Sequence, residues 1–185
     1  MRKTINFIPA AMPTLVCALL VGCLCACTQE QQLERRARAG DFQAMMALSE
    51  AYGSPSGGGI TRNPSHEKEV FWLRRAASQG FTPAMYDLSQ VLTVIVTNEE
   101  RVMWLKKGAE LGNEACVIEL MNGYRFGNHG LPKDTGAAIF WELKRGELYL
   151  KRDKKSPEET RASLAQWEQR YRKENHYDGP IRPLP

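Results

Sequence analysis

Spacings of four residues organise this chain. Counting four on from Gly40, Gly80 and Gly112 gives Ala44, Ala84 and Cys116. Four more gives Leu48, Leu88 and Leu120, and four more gives Tyr52, Leu92 and Tyr124. A spacing of four keeps residues on one face of an α-helix, so each glycine announces a helix with a small-Leu-aromatic stripe. The small residue allows a neighbouring helix to come close, and the leucine fills the space between them. A second pattern surrounds Trp72, Trp104 and Trp141, in Phe71-Trp72-Leu73-Arg74-Arg75-Ala76-Ala77, Met103-Trp104-Leu105-Lys106-Lys107-Gly108-Ala109 and Phe140-Trp141-Glu142-Leu143-Lys144-Arg145-Gly146. In the first two, a glycine follows the tryptophan by eight residues, at Gly80 and Gly112. Each unit is therefore a helix pair, helix A with the stripe and helix B with the tryptophan. Gly40, Gly80 and Gly112 fit the left-handed position just past helix B. Thr97-Asn98-Glu99-Glu100 and Ser156-Pro157-Glu158-Glu159 read as capping boxes, the second with proline at the first helical position.

Repetition at this period predicts an all-α fold, an α/α solenoid of about three helix pairs with capping helices at both ends. Leu33 to Gly40 reads as a lone helix B ahead of the first pair. After the third, Glu158 to Lys173 is a capping helix with Leu164, Trp167 and Tyr171 on one face. Tyr149 stands where the third glycine would fall. The tail from Gly179 to Pro185 is too proline-rich for a helix and reads as extended.

These spacings resemble the Sel-like repeat family, relatives of the tetratricopeptide repeats. The family unit runs Ala-x3-Leu-x3-Tyr, a Gly-rich loop ending in Asp, then Ala-x2-Trp-x3-Ala-Ala-x2-Gly. Gly130-Leu131-Pro132-Lys133-Asp134 matches that loop, with Ala138 and Trp141 in register, and Gly59-Ile60-Thr61-Arg62-Asn63 matches it with Asn in place of Asp. The resemblance covers Arg38 to about Gly146. The second unit departs from it, since Val91-Leu92-Thr93-Val94-Ile95-Val96 runs almost directly into the next cap.

The N-terminus reads as an export signal over residues 1–22. Arg2 and Lys3 supply its positive end, and the apolar run from Phe7 to Gly22 is short for a membrane span, which takes about 20 residues. Leu20-Val21-Gly22-Cys23 resembles the lipobox of bacterial lipoproteins, which implies a diacylglyceryl group on the sulfur of Cys23. Cys27 is the alternative, because the polar run Thr28 to Gln32 follows it. The expected organisation is signal 1–22, tether 23–32, solenoid 33–150, capping helix 151–175 and tail 176–185, on a membrane-anchored chain facing the periplasm.

Charge and chemistry narrow the picture further. Without Arg2 and Lys3 the 25 basic residues fall to 23, against 21 acidic ones, so the exported part lacks the basic excess of a nucleic-acid binder. Cys116 is the one cysteine outside the N-terminal segment, so no disulfide staples the domain. It falls at the small-residue position of helix A, which suits a core thiol better than a nucleophile. His66, His129 and His176 lack ligand spacing and read as exposed. Ser56-Gly57-Gly58-Gly59 is an inter-helix loop without the Lys-Ser/Thr of a phosphate cradle. No catalytic residue, cofactor or metal site is therefore assigned. The basic run Lys151-Arg152-Asp153-Lys154-Lys155 reads as a solvated turn, with contact to anionic lipid near the anchor or to an acidic partner as the alternative.

A solenoid exposes a concave face lined by one set of helices, and partners bind there. The positions of helix A expected to be exposed are Gln43, Met46, Glu50, Met85, Asp87, Gln90, Glu119 and Asn122. The loop beginning at Arg125 and Phe126 is a second candidate. The expected role is a monomeric, lipid-anchored protein-binding module without enzymatic activity. Among lipoproteins that it resembles, one use is immunity, holding and blocking an antibacterial effector such as a phospholipase delivered by type VI secretion. The alternative is a scaffold for envelope assembly or exopolysaccharide export.

Overall fold

A computed structural model describes residues 29–91 and 94–183. The expected export segment, Cys23, Cys27 and Leu92 of the second stripe lie outside the described residues. Among the described residues all regular structure is helical. The elements are α1 (29–38), α2 (Phe42–Gly53), a 3-10 turn (Gly57–Gly59), α3 (His66–Ser78), α4 (Thr82–Gln90), α5 (Asn98–Glu110), α6 (Glu114–Phe126), α7 (Thr135–Arg152) and α8 (Pro157–Glu174). The chain forms two compact units that part at Glu69–Val70, with α3 running across the boundary.

The helix starts follow two rules that the sequence carries. Gly40, Gly80 and Gly112 all have positive φ, at 99°, 91° and 85°, and the next residue caps the following helix A. Asp41 accepts from Ala44 N at 3.1 Å and Asn113 from Cys116 N at 3.1 Å, each satisfying an amide that the first helical turn leaves open. Phe81 has no such side chain, and Pro83 in the first turn of α4 compensates by presenting no N–H at all. Helix B starts at a fixed distance before its tryptophan, at Ser65, Thr97 and Asp134. This corrects the alignment of Asn63 with Asp134. The backbone N–H of Ser65 donates to Tyr52 O at 2.9 Å and that of Asp134 to Tyr124 O at 2.8 Å. The cap is thus pinned to the carbonyl of the stripe's aromatic residue, and the loop between them is free to vary in length.

In the first unit, α1 begins at residue 29, so residues 29–32 belong to a helix and not to the tether. Glu30 fixes it there. Tyr52 Oη donates to Glu30 at 2.6 Å, and Thr61 Oγ1 donates to the same carboxylate at 3.1 Å. Burial and these carboxylates push the Tyr52 phenol well above its ordinary range.

In the second unit, α4 to α8 pack in chain order. The core holds Leu105, Ala109, Cys116, Val117, Leu120 and Tyr124, closed by Leu131 and Trp141. A Cβ added to Gly108 would stand 2.5 Å from Cys116 Sγ, so α5 and α6 approach as closely as they do because one side chain is missing. Arg74 grips Glu100 with two bonds of 2.7 Å and holds its carboxyl below the usual range. Glu100 also accepts from Trp104 Nε1 at 3.2 Å, so the expected capping box at Thr97 is reduced to the Thr97 bond to Glu100 N. The box at Ser156 forms with both halves. The tail is non-helical and folds back, with Arg172 donating to Gly179 O at 2.8 Å and Tyr177 Oη to Pro180 O at 2.9 Å.

Candidate protein-binding surface

The residues expected to bind a partner meet different fates. On α2, Gln43 and Glu50 are exposed and Met46 is half-buried. On α4, Gln90 is exposed and Asp87 half-buried, but Met85 is fully buried. Met85 therefore belongs to the core and is withdrawn from the binding set. The reason is register. The residue after the small one is also buried in the other two stripes, at Met45 and Val117. α6 packs α5 on one side and α7 on the other, and the apolar face of helix A is wider than the stripe alone.

On α6, Glu119 and Asn122 are half-buried. Glu119 reaches His129 Nε2 at 3.5 Å, and His129 Nδ1 lies 3.1 Å from Arg101. His129 is thus half-buried in a polar chain and is not the exposed histidine expected. Arg101 is buried and donates to Val91 O at 2.7 Å, which satisfies a carbonyl at the end of the shortened second unit.

Arg125 and Phe126 lie at the end of α6, and Phe126 is 65% exposed. Both line a cleft of about 340 Å³ with Lys133, Ile139, Glu142 and Tyr171. A second cleft, of about 470 Å³, continues from Glu142 and Tyr171 to Arg145, Tyr149, Trp167 and Arg170. Glu142 is the pivot between them. It is only 7% exposed, and it accepts from Arg125 at 2.9 Å, Arg145 at 2.6 Å and Tyr171 Oη at 3.4 Å. Gly146 lets α8 close over this end of α7, since a Cβ there would collide with the Trp167 ring.

These clefts were missed in the sequence, although a trace of them is present. The residue after the tryptophan is Leu73 in the first unit and Leu105 in the second, both buried, but Glu142 in the third. Four after the tryptophan stand Ala76 and Gly108, then Arg145. The third unit has exchanged an apolar contact for an ionic one at two positions of one face.

A groove of about 980 Å³ also runs beside α5, lined by Val102, Met103, Tyr124, Leu131 and Pro132 among others. Among the described residues no cluster of His, Cys, Asp and Glu has the make-up of a metal site. Burial pushes the Cys116 thiol up to about 12, helped by the Glu119 and Asp87 charges. The thiolate is the nucleophile, and burial disfavours that form at Cys116. Peptide mapping after brief alkylation of the native protein should leave Cys116 unmodified, with full modification after urea. Rapid native modification would mean that the α5–α6 contact opens.

The sequence matches no protein-family model and no curated protein.

Proposed function

We propose that this chain is a lipid-anchored, periplasm-facing protein-binding module of Sel-like repeats, acting as an immunity protein that blocks an antibacterial effector at the membrane. The observation that carries the reading is the recurrence of one interface. The small residue, leucine and tryptophan of successive units share a register and are buried, while the same helices turn Gln43, Glu50 and Gln90 to solvent. Such a stack invests its apolar residues in joining units and leaves polar and aromatic ones for a partner.

The anchor fits this role. No helix among the described residues is long and apolar enough to cross a membrane. With lipid on Cys23, Glu30 is seven residues away, and α1 starts one residue earlier. An extended chain covers at most about 3.3–3.6 Å per residue, so the repeats would stand within roughly 20 Å of the bilayer. A tether of that reach would hold an inhibitor where a membrane-degrading enzyme works. Labelling with a palmitate analogue should be lost in Cys23→Ser and kept in Cys27→Ser. The reverse pattern assigns the anchor to Cys27, and labelling in neither would end the lipoprotein reading.

The role itself is tested by co-expression with the lipase-like effectors of antagonistic strains and by a pull-down from envelopes. Protection, with capture of the effector, is expected. Capture of assembly machinery alone would favour the scaffold reading instead.

A further inference from the structure

We propose that the two clefts around Glu142 form one docking groove for an acidic segment of the partner protein. The inference rests on the protein-binding reading and names where and how that binding occurs. The departures of the third unit from the pattern of the first two meet in this one place. Glu142, Arg145 and Tyr149 replace leucine, a small residue and glycine at matching positions, and all three line the second cleft. A unit that needed only to receive a capping helix would keep the apolar contact.

The cations outnumber the carboxylates that answer them. Arg125 and Arg145 share the single Glu142 carboxylate. Arg152 and Arg170 hold Glu114 and Glu174 only at 3.7 and 3.8 Å, and both are more than half exposed. Lys133 lines the first cleft. Loose, exposed pairs of this kind contribute little to folding, so exchanging their partners costs little. Between the guanidiniums lie Tyr149, Trp167 and Tyr171, with Arg152 over the Tyr149 ring at 4.8 Å and Arg170 over the Tyr171 ring at 5.1 Å. Stacking holds each guanidinium flat against a ring, and its long contact to Glu114 or Glu174 can be exchanged for an incoming carboxylate met in a planar fork. Arginine, tryptophan and tyrosine in a cleft are the composition of protein-binding hot spots. A headgroup surface for anionic lipid would call for a flat lysine-rich face, which Lys151, Lys154 and Lys155, outside the lining of the groove, resemble more closely.

The test uses the purified full-length protein and a short fluorescein-labelled peptide of alternating Glu and Phe, beside its Lys and Phe counterpart. The acidic peptide should bind, weaken with salt, and quench Trp167, the one half-buried tryptophan beside three buried ones. Arg152→Ala with Arg170→Ala, which breaks only the two loose pairs, should keep its unfolding transition and bind about tenfold more weakly or worse. Lys151→Ala with Lys155→Ala removes as many charges outside the groove and should leave binding unchanged. Equal binding of the two peptides, an equal loss in the lysine variant, or an unmoved Trp167 signal would overturn the proposal. So would phosphatidylglycerol vesicles that displace the peptide, which would make the surface a lipid site. A captured effector that the arginine variant still holds overturns the groove and leaves the immunity reading standing. Peptide binding without any captured effector does the opposite.

Discussion

Replacing Trp104 with alanine is expected to lower the unfolding free energy by about 3–5 kcal/mol, the usual range for deleting a large aromatic side chain from a core. Trp104 is buried near the middle of α5, its indole N–H on Glu100 and the Lys107 ammonium 5.2 Å above its ring. The substitution opens a cavity between stacked helices, and Glu100 keeps only its Arg74 clamp. Repeats contact only their neighbours, so a gap in the second unit weakens the stack on both sides. Urea unfolding followed by far-UV circular dichroism measures the loss. Trp104→Phe should retain a good part of the stability, since a ring still fills the site. Phe126→Ala serves as the exposed counterpart and should stay within about 0.5 kcal/mol. A Trp104→Ala loss as small as that of Phe126→Ala would mean that the tryptophan register does not mark the core.

That register is where the sequence was most legible. Among the described residues, the glycines with positive φ, the small and leucine positions of the stripe, Tyr52, Tyr124 and the three tryptophans fall where their spacing placed them, because each is fixed by local geometry that repeats. Met85 was misplaced by a single position along a helix turn, a shift that moves a side chain by about 100°. The alignment of Asn63 with Asp134 failed for a related reason. The loop glycines invited counting from the loop, whereas the chain counts from the tryptophan, and Ser65 caps in place of Asn63. Glu142 was the least legible. A glutamate in a helix reads as solvated, and its burial depends on Arg125 and Tyr171, which come from elements remote in sequence. The comparison that reveals it is with Leu73 and Leu105 at the same register, where a charge stands in a column of leucines.

The same column logic yields a second large effect, at Gly108. Ordinarily alanine in place of a mid-helix glycine gains about 0.5–1 kcal/mol through backbone entropy. At Gly108 the added methyl would press on Cys116 Sγ, with Met85 behind it, and overpacking of this kind costs typically 1–3 kcal/mol. Gly108→Ala alone should therefore destabilise. The junction of the first two repeats shows the remedy, since Ala76 and Ala84 occupy there the two positions that Gly108 and Cys116 occupy at the next junction. Two alanines stand at one junction, and a glycine with a larger thiol stands at the other. Gly108→Ala combined with Cys116→Ala recreates the first pairing. The double variant should recover to within about 1 kcal/mol of the wild type, while Cys116→Ala alone leaves a small void. A thermodynamic cycle over the four proteins should give a coupling of at least about 1 kcal/mol, as expected for residues in contact. Additive effects would show that the two positions do not touch, and that the close approach of α5 and α6 rests on some other pair.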